Sequence, residues 1–443
     1  MRLLNPWGCI TTKQKGAGST LRPGRLVAIN QTAYIVDAMM GQGKTSAAAT
    51  YINQSSPESR FIFLSPYVDE GDRIKDSCPT RHFAVLKKRN GAKLNDLRFQ
   101  VRQHKNIAST HALLERYTPD ILEEITQGKY TLILDEAYAV TKTVTATQKR
   151  DFQYLLDNGI VAIDPQTKHV SLVDDDIGEF GGTSMCDMIE RVRAGSIYYF
   201  HGRVLIWIFP IHILQAFEKI IILTYMFEAQ SICPYLKMHG YSFVYWSTRK
   251  LPSGLYEFCP YECGDKPAVD LSELIHPLDI AKLNQIGDSE KALCANWYDG
   301  DRRKGGSNIA TLAKHIRNVQ KNIYKCSAKE FMWTTYQRFQ EDVQDKNIKP
   351  HFVPCNARAS NQWRSKRYLA YGVNIYEHPD AADYFEMCGY PLNVDLMALS
   401  EMIQWIWRSA IRDGKEIWIY IPSRRMRTLL EDWMQSVSNK TAA

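Results

Sequence analysis

The sequence predicts an α/β protein built from mostly parallel sheets with helices on both faces. From about residue 26 to about residue 232, apolar runs of strand length alternate with helical patterns, and a second unit of this kind follows an irregular, aromatic stretch. Two runs in the first unit end in a glycine turn and in an acidic pair, features that parallel sheets present at their carboxyl edge. The chain of 443 residues is long enough for two or three domains.

The alternation of apolar and polar stretches divides the chain into four segments. Residues 1–25, rich in Gly, Lys, Arg and Thr, predict a basic N-terminal arm, and residues 26–232 predict the first α/β unit. Residues 233–320 predict a linker with a small accessory layer, and residues 321–443 predict the second unit. The expected strands lie at 34–36, 61–64, 107–109, 132–134 and 220–223 in the first unit, and at 330–335, 351–354, 369–375 and 416–421 in the second.

The glycine turn is the segment AMMGQGKT at residues 38–45, which follows an apolar run and leads into a helix pattern of small residues. Such a turn can bind phosphate groups, because its backbone N–H groups converge and the helix dipole favours an anion. Lys44 is expected to reach the outer phosphates and Thr45 to hold Mg²⁺. The motif usually begins with Gly where this chain has Ala38, and the alternative is an ordinary turn between strand and helix. The residues predicted to bind the nucleotide are Gly41, Gln42, Gly43, Lys44, Thr45 and Ser46.

The acidic pair closes the apolar run at 131–134 and supports the nucleotide interpretation. Asp135 is expected to bind Mg²⁺, so that Thr45 and Asp135 together form the predicted metal site. Glu136 is expected to orient or deprotonate the water that attacks the γ-phosphate. A solvated strand end is the alternative for an isolated Asp-Glu pair, but its position about ninety residues after a phosphate-binding turn favours a Walker B pair. The predicted cofactors are therefore ATP and Mg²⁺.

A third motif lies in the second unit, where Gln404, Arg408 and Arg412 follow one another at intervals of four residues. On a helix, this spacing would place all three on one face. Arginines on such a face can contact a γ-phosphate held by the neighbouring unit and stabilise the charge of the transition state. The alternative, that they pair with surface carboxylates, is equally open on the spacing alone.

In the order and type of these motifs, the chain resembles the superfamily 2 helicases, the DEAD/DEAH-like ATPases that depend on nucleic acid. Residues 38–45 resemble motif I of that family, residues 135–138 motif II and residues 404–412 motif VI. Residues 356–361, 404–412 and 420–427 further resemble replication helicases encoded by bacteriophages. Trp407 stands where the family has Gly, and Tyr138 where it has Asp or His. Weaker matches to motifs Ia, Ib, III and IV lie at 64–67, 109–111, 223–225 and 333–336.

The resemblance implies two RecA-like lobes with a small accessory or linker region, which close around ATP and grip a nucleic-acid strand across their tops. It implies single-stranded or forked DNA as the partner, with RNA not excluded, and replication proteins as further partners. A DNA helicase acting in phage replication or recombination is the implied function. Candidate contacts to the strand are Ser65, Ser109, Thr110 and Arg358.

Composition limits the class of protein and its cellular location, but it does not identify a binding partner. The net charge of +7 is compatible with a polyanion but is also common in enzymes that never bind one. The most apolar window, 204–227, contains Pro210, Glu218 and Lys219, so buried strands and a helix are expected rather than a membrane span. Cys259 and Cys263 lack the second pair that a zinc site needs. The expected location is the cytoplasm, or the host cytoplasm if the chain is phage-encoded.

Three other functions fit parts of the sequence. A nucleic-acid-stimulated ATPase that translocates or remodels without separating strands would keep every motif. A P-loop kinase of small molecules would not need the arginine motif in the second unit. A nucleotide-gated scaffold without catalysis would not need Asp135 and Glu136, which are both present.

Overall fold

The computed structural model describes residues 31–89, 92–174, 185–264, 271–344, 348–355 and 361–441. We call residues 31–264 the first lobe and residues 271–441 the second lobe. The strands of the first lobe are β1 (Thr32–Asp37), β2 (Arg60–Ser65), β3 (Ala84–Val85), β4 (Ile107–Thr110), β5 (Tyr130–Asp135), β6 (Thr141–Thr143), β7 (Val161–Ile163), β8 (Val170–Leu172), β9 (Ile197–Phe200), β10 (Val204–Ile208), β11 (Lys219–Thr224), β12 (Ser242–Lys250) and β13 (Tyr256–Pro260). Its helices are α1 (Lys44–Gln54), α2 (Asp69–Ser77), α3 (Lys93–Arg102), α4 (His111–Leu114), α5 (Pro119–Gln127), α6 (Ala146–Asp157), α7 (Cys186–Arg193), α8 (Ile211–Gln215) and α9 (Ile232–Met238).

The first lobe is organised by an eight-stranded sheet in the order β13-β12-β1-β11-β5-β2-β4-β3, in which only β12 and β13 are antiparallel neighbours. Its central strands are apolar on both faces, as expected for a parallel sheet covered by helices. Ile35, Leu64 and Leu132 pack into the core on one face, whereas Val36 and Phe63 pack into the core on the other. The predicted strands of the first unit are therefore confirmed, and their carboxyl ends meet at one edge.

Between β5 and β11 the chain forms a small insertion, with an antiparallel sheet β6-β10-β9 and the hairpin β7-β8. The buried strand β10 attaches this insertion to the main core of the lobe. The apolar window 204–227 folds as β10, α8 and β11, as predicted. Among the described residues, the structure contains no helix with the length and apolar character needed to cross a membrane.

The second lobe contains a four-stranded parallel sheet in the order β14-β17-β16-β15. Two of its helical layers cover opposite faces of the sheet, with α12 and α13 on one side and α16 and α17 on the other. The strands are β14 (Ile275–Pro277), β15 (Phe331–Thr334), β16 (Tyr368–Tyr371) and β17 (Ile417–Tyr420), and the helices are α10 (Leu271–Leu274), α11 (Ala281–Asn284), α12 (Ala295–Arg303), α13 (Ser307–Asn318), α14 (Gln340–Val343), α15 (Pro379–Met387), α16 (Val394–Ile406) and α17 (Arg424–Thr441).

Two features of the second sheet differ from the expectation. The segment 351–354 is not a strand, because Phe352 makes only an isolated bridge to Trp333. The strand β14 was not expected, and it supplies the edge of the sheet beside β17. The fold class itself, α/β with mostly parallel sheets flanked by helices in two lobes, is confirmed.

Strand pairing also shows how the region 233–320 is used. Its residues 242–260 extend the first sheet by β12 and β13, and its residues 275–277 form an edge of the second sheet. The helices α12 and α13 lie in the same region and pack on the second sheet. The proposed division of the chain into domains remains a prediction, and the basic arm at 1–25 lies outside the described residues.

The two lobes share apolar contacts in two places. Tyr225 and Met226, just after β11, belong to the same buried cluster as α16 and α17, and the indole N–H of Trp433 donates to the Tyr225 hydroxyl at 3.1 Å. In the opposite direction, α15 packs on the insertion of the first lobe, where the ring centroid of Tyr384 lies 5.4 Å from that of Tyr198.

Candidate functional site

A cleft of about 370 Å³ lies between the carboxyl edge of the first sheet and the end of α16. The first lobe contributes the glycine turn and the acidic pair, and the second lobe contributes the arginine motif. The residues that line this cleft are Met40, Gly41, Gly43, Lys44, Thr45, Ser46, Pro66, Tyr67, Glu70, Arg73, Asp135, Glu136, Tyr256, Gln404, Trp407, Arg408 and Arg412.

The glycine turn has the backbone geometry that its sequence predicts. Gly41 and Gly43 have φ values of 83° and 71°, in the left-handed region that glycine adopts without strain. A Cβ atom on Gly43 would lie 2.4 Å from the Tyr256 ring, so a larger residue would collide with it. Gln42 does not line the cleft. Its side chain instead accepts a hydrogen bond from the N–H of Met39 at 2.8 Å and so closes the turn.

Lys44 lies across the mouth of this turn. Its Nζ donates to the carbonyl oxygens of Ala38 at 2.6 Å and Met39 at 3.1 Å. Desolvation lowers the pKa of Lys44 to about 8, and the nearby carboxylates of Asp37, Asp135 and Glu136 oppose that decrease. A cation held by carbonyl oxygens beside converging N–H groups is placed to pair with phosphate oxygens.

Asp135 and Thr45, the two residues predicted to hold Mg²⁺, are hydrogen-bonded to each other. The Thr45 hydroxyl donates to the two carboxylate oxygens of Asp135 at 3.2 and 3.3 Å. Burial raises the pKa of Asp135 to about 7, and the charges of Glu136 and Glu70 add to the increase. Oxygen ligands with an excess of negative charge nearby suit a hard cation such as Mg²⁺, so these residues fit the metal that the motif implies.

Glu136 has a backbone conformation that is rare for its residue type. Its φ of 69° lies in the left-handed region, and its N–H donates to the carbonyl of Leu223 on the neighbouring strand β11 at 2.9 Å. This conformation costs about 1–2 kcal/mol for a residue with a side chain. The strain occurs where the side chain turns into the cleft, a combination typical of functional sites.

Arg408 reaches the cleft from the second lobe. Its Nε and Nη1 atoms are buried, and neither has a hydrogen-bond partner within the described part of the chain. Burial lowers the pKa of Arg408, and the carboxylates of Glu401 and Glu136 and the nearby Tyr67 oppose that decrease. Buried donors without acceptors are costly, so this side chain is suited to receive an anionic acceptor in the cleft.

The arginine motif does not form one helical face, which corrects the expectation. The helix α16 ends at Ile406, and the extended backbone of Ser409 separates it from a 3₁₀ turn at Ala410–Asp413 that carries Arg412. The Ser409 hydroxyl donates to the carbonyl of Ile406 at 2.6 Å and stabilises the break. All three motif residues nevertheless line the cleft, with Arg412 exposed and Gln404 donating to the Ser400 hydroxyl at 3.2 Å.

The candidate contacts to a nucleic-acid strand are not brought together as one surface. Ser65 is fully buried, and its hydroxyl bonds to the backbone of Tyr67, so it is unavailable for the contact that was expected. Ser109 and Thr110 are half-buried at the carboxyl end of β4. Arg358 lies outside the described residues.

Several cleft residues were not predicted. Glu70 and Arg73 on α2 form an ion pair of 3.1 Å, and they follow β2 in the way that the acidic pair follows β5. The rule that strand ends meet at one edge would have indicated them. Outside the cleft lining but near Lys44, Asp37 is buried and accepts hydrogen bonds from two N–H groups after β11. Tyr256 had no local signal, because its position depends on the pairing of β13.

Comparison with solved structures gives only remote similarity. A DEAD box protein from Methanococcus jannaschii aligns with 92% of this chain and 87% of its own, at 12% identity and a TM-score of 0.26. The DUF1998 helicase MrfA, solved with DNA and AMPPNP, aligns with 91% of this chain and 48% of its own, at 9% identity and a TM-score of 0.32. Neither similarity assigns an activity to the chain.

Comparison with protein families and curated proteins is more specific. The family described as the YonV C-terminal Rossmann-like domain matches residues 269–434, which corresponds to the second lobe. The SPbeta prophage-derived uncharacterized protein YonV of Bacillus subtilis strain 168 is 34% identical over 418 residues, covering 91% of this chain and 98% of the relative. The chain therefore belongs to the YonV family.

Proposed function

We propose that the chain is an ATPase stimulated by nucleic acid, and that it uses ATP hydrolysis to translocate along DNA and to separate its strands. The observation that carries this proposal is the composition of the cleft. A phosphate-binding turn and an acidic pair from one lobe face Arg408 from the other lobe. The buried N–H groups of Arg408 have no acceptor among the described residues. An ATPase site shared by two lobes can couple hydrolysis to their relative motion.

The cleft residues of the first lobe each have a role in this proposal. The N–H groups of residues 41–46 and the Lys44 ammonium bind the phosphates of ATP. Thr45 and Asp135 would hold Mg²⁺, which neutralises charge on the phosphates. Glu136 accepts a proton from the attacking water or orients it, from its position directly after Asp135 in the lining of the cleft.

The second lobe supplies the positive charge that the transition state needs. Arg408 would donate its unpartnered N–H groups to the γ-phosphate, and Arg412 would approach from the exposed side of the cleft. Gln404 would orient the γ-phosphate or the water. Release of the phosphate removes the partner of Arg408, which favours a different arrangement of the lobes.

The nucleic-acid partner is proposed to be single-stranded or forked DNA, with RNA as an alternative. Ser109, Thr110 and Arg358 remain candidates for contacts to the strand. The prophage origin in the name of the relative supports a role in phage replication or recombination, in the host cytoplasm and together with replication proteins.

The experiment that tests the proposal is a comparison of ATP turnover without nucleic acid and with single-stranded DNA, duplex DNA, forked DNA and RNA. We expect DNA to stimulate turnover, and we expect Lys44→Ala to abolish it in every condition. Turnover without any stimulation would favour a small-molecule kinase or another phosphotransferase. Stimulated turnover without displacement of a labelled strand would favour translocation or remodelling without unwinding.

A further inference from the structure

One long segment of the second lobe carries positive charge without any negative charge. Residues 302–329 contain eight Lys and Arg residues and no Asp or Glu, whereas the net charge of the whole chain is only +7. The rest of the chain is therefore close to neutral. A solvated helix surface commonly mixes charges of both signs, so a long segment with cations alone indicates an anionic partner.

The helix α13 arranges part of this charge as a stripe. Ile309, Leu312 and Ile316 are buried against the second sheet. Lys314 on α13 and Lys321 on the π-helical turn Val319–Ile323 that follows it are exposed, and their spacing of seven residues, or about two turns, places them on nearly the same side. Arg317 is exposed between them. The helix is thus held by its apolar face and presents its cations to solvent.

Asp301 and Asp342, two acidic residues near α13, have partners other than Lys314 and Lys321. Asp301 is engaged at the start of α13, where it accepts hydrogen bonds from the N–H of Ile309 and the amide of Asn308, each at 2.9 Å. Asp342 pairs at 3.3 Å with Arg302, which precedes α13 in the chain. For Lys314 and Lys321, no ion pair is formed with any carboxylate of the described segments.

The stripe lies on the side of the second lobe that is remote from the ATP cleft. Successive residues of a strand point to opposite faces of a sheet. Trp333 on β15 packs with α13, whereas its neighbour Met332 packs with α16, which leads to the cleft. The stripe therefore lies on the face of the second sheet opposite to α16, the helix whose end borders the cleft.

We infer that Lys314 on α13 and Lys321 on the helical turn that follows it, together with Arg303 and Lys304 before the helix, form a second anchor for nucleic acid. It would bind the phosphodiester backbone without reading the bases, because flexible cations provide charge but no base-specific geometry. This inference rests on the proposed function, in which nucleic acid is the partner. Such an anchor would keep the chain on its track while the lobes change their arrangement.

An anionic membrane is the other partner that a basic helix can suit. Interfacial helices of that kind also present large apolar side chains that insert between lipids. In the described part of the chain, the large apolar side chains that are exposed belong to other segments, such as Val68, Phe99 and Tyr154. The face of α13 therefore favours a nucleic-acid backbone.

The test compares two double variants with the same change of charge. Lys314→Glu with Lys321→Glu alters the stripe, and Lys105→Glu with Lys129→Glu alters exposed lysines at the amino edge of the first sheet. We expect the stripe variant to bind labelled single strands roughly tenfold more weakly at low salt. The slope of log affinity against log salt concentration should become shallower by about 0.7 for each lost phosphate contact. The control variant should bind like the wild type, and ATP turnover without nucleic acid should be normal in both.

Equal losses in both variants would overturn the inference, because they would reflect net charge alone. Unchanged binding by the stripe variant would also overturn it. Wild-type protein that binds vesicles of anionic lipid but not nucleic acid would replace it with a membrane partner. Absence of ATP hydrolysis would contradict the proposed function and leave the binding comparison intact, so the two failures can be distinguished.

Discussion

At the scale of single residues, the cleft combines charges that are costly in the free protein. Asp135 holds a carboxylate whose pKa is raised by burial, and Arg408 holds a guanidinium whose pKa is lowered by burial. Lys44 is likewise desolvated. Groups of this kind cluster at functional sites because a charged substrate compensates for their desolvation.

The first prediction concerns the acid next to the metal site. We expect Glu136→Gln to bind ATP with nearly normal affinity and to hydrolyse it at least about 10²-fold more slowly, since the attacking water loses its base. Equilibrium binding of a fluorescent ATP analogue and single-turnover hydrolysis measure the two quantities. Weak binding combined with a normal rate in the bound state would show that Glu136 serves the metal rather than the water.

The second prediction concerns the effect of Asp135 on the stability of the protein at different pH values. Its pKa is about 7 in the folded protein and near 3.8 when unfolded, so the folded state binds the proton more tightly. The stabilisation from this proton is complete below about pH 3.8 and is lost as the pH rises through about 7. Without nucleotide, Asp135→Asn should therefore raise the melting temperature more at pH 8 than at pH 5. A gain that does not depend on pH would contradict the raised pKa.

At the scale of elements, the break after α16 separates the two arginines by environment, since Arg408 is largely enclosed and Arg412 is exposed. We expect Arg408→Met to keep or raise the melting temperature, because it removes a desolvated charge, and to lower stimulated ATP turnover about 10³-fold. Arg412→Met should leave the melting temperature unchanged. Calorimetry and turnover on the same preparations test this, and normal turnover by Arg408→Met would remove it from the mechanism.

The glycine turn before α1 lies against the antiparallel pair β12 and β13 at the edge of the first sheet. This contact can be tested by mutation. Gly43→Ala should lower stability by about 1–2 kcal/mol from its backbone alone and by more from its collision with the Tyr256 ring. Adding Tyr256→Ala should recover only the second part. Denaturant unfolding of the two single variants and the double variant measures the coupling, and strictly additive effects would mean that the ring does not restrict this position.

At the scale of the whole molecule, the lobes exchange buried apolar groups. The core of the first lobe includes Tyr384 and Phe385 of α15, and that of the second includes Tyr225 and Met226. A movement of the lobes must keep these contacts or break them together.

The shared contacts predict one cooperative thermal transition for the wild type. Tyr384→Ala, which leaves a cavity where α15 meets the insertion, should cost about 3–5 kcal/mol and divide the transition into two. Tyr298→Ala is a matched control, because it removes a buried tyrosine within the core of the second lobe. It should lower stability without decoupling the first lobe. A single transition in Tyr384→Ala would show that Tyr225 and Met226 suffice to couple the lobes.

Several local features of this protein follow from its sequence. The strands at 34–36 and 132–134 were predicted because buried parallel strands are continuous apolar runs, and the glycine turn because its conformation requires glycine. Thr45 and Asp135 could be paired in advance because carboxyl ends of parallel strands share one edge.

Features that depend on residues far apart in the chain could not be predicted from local patterns. The end of α16 at Ile406 could not be read from spacing, since a repeat of four is compatible with a continuing helix and the break depends on Ser409 and its surroundings. Ser65 became buried, and Tyr256 reached Gly43, through pairing between strands far apart in the chain. Periodicity reports which residues share a local face, whereas burial and contact are set by what packs against that face.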